Sequence, residues 1–133
     1  MNIELVPAAT RIGFMGPHGT FTEQALLGQP DLAVADTRPF DSIPDVLNGL
    51  VIGDVDLGFV PIENAIEGAV NVTQDTLAFD LDVRIQREVV LDVQLNLLAL
   101  PGTQLTDIHT VMSFPVAVAQ CRSFLREQLP DAE

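Results

Sequence analysis

Apolar and polar positions along the chain fall into short apolar runs separated by stretches of helical period. Arg11–Gly16 (RIGFMG) is an apolar run ending in glycine and predicts a strand. Thr20–Leu27 follows as a helix, with Thr20 as N-cap and Glu23 three residues on completing a capping box. Gly28 ends it. Leu32–Ala35 predicts a second short strand. Ser42 opens the next helix, with Pro44 in its first turn and Asp45 three residues on. Ile43, Val46, Leu47 and Leu50 then share one helical face, and Gly53-Asp54 breaks the pattern. Val55–Ile62 (VDLGFVPI) reads as a buried strand with Pro61 at its end.

Further on, Asn71–Phe79 predicts a helix capped by Asn71. Arg84–Leu100 has period two through Val89, Leu91, Val93, Leu95 and Leu97, and its length predicts two strands or one bent strand. Pro101-Gly102 is a turn. Ile108–Met112 predicts a strand. Pro115–Leu129 predicts a helix with Ala117, Cys121, Phe124 and Leu125 on one face. This order argues an α/β domain with a largely parallel sheet. The last residues, Pro130–Glu133, follow a helix where such a pattern ordinarily runs into another strand, so the expectation is a fragment or truncated chain.

Composition narrows the classes. The chain has 133 residues, enough for about one domain, and is 47% hydrophobic, which excludes a disordered tail. Six basic residues, all Arg, against nineteen acidic ones leave a net charge of −13. That charge argues against nucleic acid or an anionic membrane surface as partner. The single cysteine, Cys121, forms no internal disulfide and no multi-thiolate metal site, and His18 and His109 lie far apart. No apolar run approaches the length of a membrane span, and the N-terminal stretch lacks the pattern of a signal peptide, so the expected address is the cytoplasm.

Three places can carry chemistry. Gly16-Pro17-His18-Gly19-Thr20-Phe21 joins a strand to a helix and turns amide groups outward, as an anion site does; an ordinary βα turn with a Thr cap uses the same residues. Glu63-Asn64 follows the most buried-looking strand, where ligands gather in α/β sheets, and offers an acid or acceptor beside an amide; a solvated loop is the plain alternative. Ser113 and Gln120 are seven apart, close to two helical turns, so both can face one side, while Ser113 alone also reads as an N-cap. His18 reads as a solvated or hydrogen-bonded turn residue and Cys121 as a small core residue. Asp54, Asp56, Asp75, Asp80 and Asp82 read as a solvated acidic surface.

Together these stretches resemble the catalytic domain of prephenate dehydratase. The likeness runs through Ile12–Leu26, Phe40–Leu77 and Val111–Cys121, and rests on GPxGTF and on G-x-x-D-x-G-x-V-P-I-E-N-x-x-x-G-x-V. The resemblance implies two α/β lobes, like those of periplasmic ligand-binding proteins, joined by hinge strands with the site in the cleft. On that reading residues 1–80 form the first, three-layer αβα lobe, and residues 81–133 the hinge strands and the start of an incomplete second lobe. The implied reaction converts prephenate to phenylpyruvate, CO2 and water in phenylalanine biosynthesis, with no cofactor and no metal. Glu63, Asn64, Ser113 and Gln120 match the family's catalytic positions. Gly19, Thr20, Ser42 and Gly68 are the substrate-binding candidates. Phe114 stands where many members have His, which bears on flanking contacts.

The family's Thr-Arg-Phe motif, with its catalytic Thr, and its regulatory ACT domain, the expected site of phenylalanine feedback, do not occur in these 133 residues. This chain alone is therefore expected to be inactive. A homodimer or higher homo-oligomer is the expected assembly. Prephenate is a dianion, so a −13 chain slows its approach, and binding must rely on local donors. The other functions considered are a non-catalytic small-ligand-binding module of this fold, an arogenate dehydratase or prephenate decarboxylase relative, and a dimerisation unit with an open strand edge.

Overall fold

The computed structural model describes residues 5–64 and 68–133. Residues 1–4, which begin the N-terminal stretch read above, and residues 65–67, inside the Phe40–Leu77 motif, lie outside the described residues. The chain divides into two compact units, Met1–Asp92 and Val93–Glu133.

The first unit is built on a parallel three-stranded sheet ordered β2-β1-β3, with β1 at Arg11–Met15, β2 at Asp36–Phe40 and β3 at Leu57–Phe59. Ile12 lies opposite Thr37 and Leu57, and Phe14 opposite Pro39 and Phe59. Helix α1 (Phe21–Leu27) follows β1, and α2 (Ile43–Val51) follows β2. Strand alternation sends Ile12 and Phe14 to one face and Gly13 to the other. On the first face Ile12 and Phe14 pack with Leu26 of α1 and Leu32. On the second, a Cβ at Gly13 would meet the Phe40 ring at 2.7 Å, and one at Gly58 would meet Leu50 and Val46 of α2 at 3.0 and 3.1 Å. Gly58 lets α2 lie close to the sheet, while Gly13 makes room for the Phe40 ring. Val46 is fully buried, with Ile43 and Leu47 beside it, as the helical spacing predicted. Each such side chain contributes about 1.5–3 kcal/mol on burial.

Several predicted elements are corrected. Leu32–Ala35 is a turn, and the second strand is the next segment, Asp36–Phe40. That segment, DTRPF, has little apolar character and a proline. It forms a strand by pairing with β1, and its proline is tolerated because β2 is at the edge of this sheet, where Pro costs no ladder bond on the outer side. The strand predicted over Val55–Ile62 is confined to Leu57–Phe59. Beyond it come a short antiparallel pair, β4 (Glu63–Asn64) and β5 (Gly68–Ala69), and helix α3 (Asn71–Asp75), which runs into a wide π turn at Thr76–Asp80. The cap of α3 is Val70, not Asn71.

From Leu81 to Leu100 no regular element forms, although the alternation survives as burial: residues 81, 83, 87, 89 and 91 are half-buried between exposed neighbours. Arg87 is fixed to Asp31 by two parallel bonds, Nη1 to Oδ1 at 2.9 Å and Nη2 to Oδ2 at 2.7 Å.

The second unit holds a 3-10 turn at Leu105–Asp107 and two short helices, α4 (Pro115–Gln120) and α5 (Arg122–Gln128). The single helix predicted over Pro115–Leu129 breaks at Cys121, whose ψ of 4° leaves the helical range. Ile108–Met112 is not a strand among the described residues. Its backbone nonetheless meets the last residue: Glu133 donates to the His109 carbonyl at 3.0 Å, and Val111 donates to the Glu133 carbonyl at 2.7 Å. No helix of the described residues is long and apolar enough to cross a membrane.

Candidate functional site

All three strands of the sheet run in the same direction, so the segments leaving β1, β2 and β3 emerge at one end. That end collects the turn at 16–20, Ser42 and the segment leading to Glu63-Asn64. It is the end at which ligands bind in open α/β sheets.

In the turn after β1, Gly19 adopts φ +84°, a conformation that glycine accepts without strain. Thr20 caps α1, its Oγ1 accepting from the Glu23 N–H at 3.3 Å. The capping box differs from the predicted one. The Glu23 carboxylate reaches past Thr20 and accepts from the Gly19 N–H at 2.6 Å, while its other oxygen lies 2.6 Å from His18 Nδ1. These contacts, the Gly19 amide first and His18 second, hold the Glu23 carboxyl below the usual carboxylate range. One outward amide predicted for an anion thus already meets the chain's own carboxylate. His18 also meets the Phe14 ring edge-on, with centroids 5.7 Å apart.

Ser42 is engaged as a cap. Its hydroxyl accepts from the Asp45 N–H at 3.2 Å and donates to the Asp45 carboxylate at 2.6 Å.

Glu63 is exposed and Asn64 half-buried, as expected of successive residues that project to opposite sides of an extended strand. Glu63 lies opposite Ala69 and Asn64 opposite Gly68. Gly68 has φ +82°. The segment before them is held from α3: the Val70 N–H donates to the Ile62 carbonyl at 2.9 Å, and Thr73 Oγ1 donates to the Pro61 carbonyl at 2.7 Å. Thr73 is completely buried. A buried hydroxyl without a partner costs about 1–3 kcal/mol, so this bond is strongly preferred over none. The sequence reading passed over Thr73. The visible signal was a hydroxyl one helical turn into a segment that follows a Pro-Ile-Glu-Asn motif.

Ser113 is exposed and lies two residues before α4, whose N-cap is Phe114 without a side-chain bond, so the expected Ser113 cap does not form. Gln120 is the last residue of α4 and half-buried. Because Ser113 is outside the helix, the two-turn argument for a common face does not apply to it. Both belong to the second unit.

Among the described residues, cavities also lie elsewhere. One, of about 160 Å³, is apolar and lined by Val111, Val118, Leu125, Leu129, Ala132 and Glu133. Another, of about 150 Å³, sits where the strands begin, between Arg11, Asp36, Thr37, Arg38, Asp54 and Val55. There Arg11 grips Asp56 with Nη2 to Oδ1 at 2.7 Å and Nε to Oδ2 at 3.0 Å, and Arg38 pairs with Asp54. Asp54 and Asp56, read as simply solvated, are therefore partners of arginines. Arg11 lowers the Asp56 carboxyl to about 2. Among the described residues no group of three His, Cys, Asp or Glu is placed to hold a metal ion.

A parallel sheet with helices on its faces defines an α/β protein. The particular family follows from comparison: the prephenate dehydratase family model matches residues 12–133. The chain is 40% identical to a prephenate dehydratase of Mycobacterium leprae over 134 residues, covering 95% of this chain and 42% of the relative. It is 42% identical to one of Mycolicibacterium vanbaalenii over 135 residues, covering 92% and 43%. The crystal structure of an Arthrobacter aurescens prephenate dehydratase in complex with L-Phe is similar at TM-score 0.78 and 39% identity, over 92% of this chain and 40% of that one. This chain belongs to the prephenate dehydratase family, and it spans less than half the length of these relatives.

Proposed function

We propose that the chain forms the first lobe, and part of the second, of a catalytic domain that turns prephenate into phenylpyruvate. The lobes are of the periplasmic-binding-protein kind, residues 1–80 forming the first and 81–133 the hinge and second. Prephenate loses its ring carboxylate as CO2 and its ring hydroxyl as water, and the ring becomes aromatic. A proton must reach the departing hydroxyl, and a positioned acid supplies typically about 10²–10⁴-fold in rate. On this reading the family's catalytic Thr, outside these 133 residues, donates that proton. Glu63 orients that exchange or shares the proton. Asn64, Ser113 and Gln120 grip the carboxylates and ketone. Gly19 and Thr20 line the cleft through the turn that Glu23 holds, and Gly68 and Ser42 line it through their backbones. Prephenate is the partner, the address is the cytoplasm, and the assembly is a homo-oligomer with phenylalanine feedback at an ACT domain.

The single observation that carries the reading is the placement of Glu63-Asn64, in the family's motif, beyond the end of a parallel strand. A proton NMR time course of prephenate tests it, against a protein-free control. The 133-residue chain is expected to match the control. The same chain completed with the downstream segment of the Mycobacterium leprae relative is expected to form phenylpyruvate. Glu63→Gln in the completed protein should slow it about 10²-fold or more. Equal rates for the completed protein and its Glu63→Gln variant would remove Glu63 from the mechanism. Rapid turnover by the chain alone would remove the outside Thr.

A further inference from the structure

Among the described residues Thr73 is the one fully buried polar side chain, and its hydroxyl donates to the carbonyl of Pro61, two residues before Glu63. We propose that Thr73 is a positioning residue: through Pro61 it sets the direction in which the chain enters Glu63-Asn64. This rests on the reading of Glu63-Asn64 as part of the prephenate site.

Pro61 has no N–H, so its carbonyl is its one backbone group able to bond. Beyond Phe59 the segment has left the sheet. Its carbonyls at 61 and 62 turn instead to α3, where Thr73 takes the first and the Val70 N–H the second. The Gln74 amide adds a long bond to Ile62 at 3.5 Å. The Thr73 bond is short at 2.7 Å and shielded from water, so competition by solvent is low. Rotation of the peptide after Pro61 would swing Ile62 and Glu63 together. The hydroxyl opposes that rotation, whereas a side chain that merely filled the space would not. Glu63 itself is exposed and has little packing to fix it, so its aim depends on the backbone behind it.

Thr73→Val keeps the volume and removes the donor, and Thr73→Ser keeps the donor. Amide NMR spectra of the intact chain then read the effect directly. In Thr73→Val the Ile62, Glu63 and Asn64 resonances should move. Hydrogen-exchange protection at Val70 should fall at least about tenfold, and the amides of β1 to β3 should stay in place. Thr73→Ser should restore both. If Thr73→Val does not fold, Thr73→Ala is read the same way. Unmoved 62–64 resonances, or a Ser variant as disturbed as the Val variant, would overturn the proposal. Titration with prephenate adds the functional half: the Val variant should bind about 5–10-fold more weakly and the Ser variant nearly as wild type. Equal affinities in all three would reduce Thr73 to a packing residue. Absence of prephenate binding by the wild-type chain would contradict the ligand reading, while the amide shifts would still decide the role of Thr73.

Discussion

The stretch from Arg84 to Leu100 is richer in apolar residues than the strands of the first unit's sheet, yet only the latter form a sheet. In β1, Ile12 and Phe14 are buried by Leu26 and Leu32 on one side, and Gly13 admits Phe40 on the other. Leu98 and Leu100, in contrast, are 89% and 82% exposed, and no ladder forms at 84–100 among the described residues. The difference teaches that period-two alternation defines which side of a segment is apolar, not whether it is a strand. A strand needs a neighbour to satisfy its backbone, and that neighbour is supplied from elsewhere in the chain.

The comparison breaks most easily at its extremes. Phe14→Ala should cost about 3–5 kcal/mol, whereas Leu98→Ala should change stability by no more than about 0.5 kcal/mol. Urea unfolding of both variants checks this, and equal losses would mean that the 84–100 stretch is packed after all. The two serines sharpen the contrast further. Ser42→Ala removes the cap of α2 and should cost about 1 kcal/mol, while Ser113→Ala removes no cap bond and should leave the melting temperature unchanged.

Two ion pairs give effects that appear only as pH falls. Arg87, with help from the Val6 N–H, holds the Asp31 carboxyl well below the usual range, and Arg11 holds Asp56 at about 2 against an ordinary 3.8. Both folded values are lower than the unfolded ones. Their stabilisation is therefore complete above about pH 4 and is lost as pH falls through the folded values. Thermal melts between pH 5 and pH 2 should fall steadily. Asp31→Asn should flatten that slope more than Asp56→Asn, because the Asp31–Arg87 pair is mostly shielded while the Asp56–Arg11 pair is nearly half exposed. Asp31→Asn should also raise hydrogen exchange around Arg87.

What could be read from the sequence was whatever had a local cause. The caps at Thr20 and Ser42 and the buried face of α2 needed only neighbours within a few residues. Strand β2 escaped because DTRPF has no strand pattern of its own and depends on pairing with β1. The break at Cys121 has no Gly or Pro to announce it, and nothing in the structure explains it. Of the site, the turn at Gly19 and the Glu63-Asn64 motif were visible as motifs. The Glu23 contact with Gly19 needed the actual course of the turn, and the Thr73 bond to Pro61 spans twelve residues and needed the packing of α3.

The most direct test of where the ligand sits is a prephenate titration of the isotope-labelled chain, followed by amide NMR. The account predicts that resonances at Gly19, Thr20, Ser42, Glu63, Asn64 and Gly68 shift together with a single affinity. Shifts confined instead to Arg11, Thr37, Arg38 and Asp54, around the charged cavity where the strands begin, would contradict it.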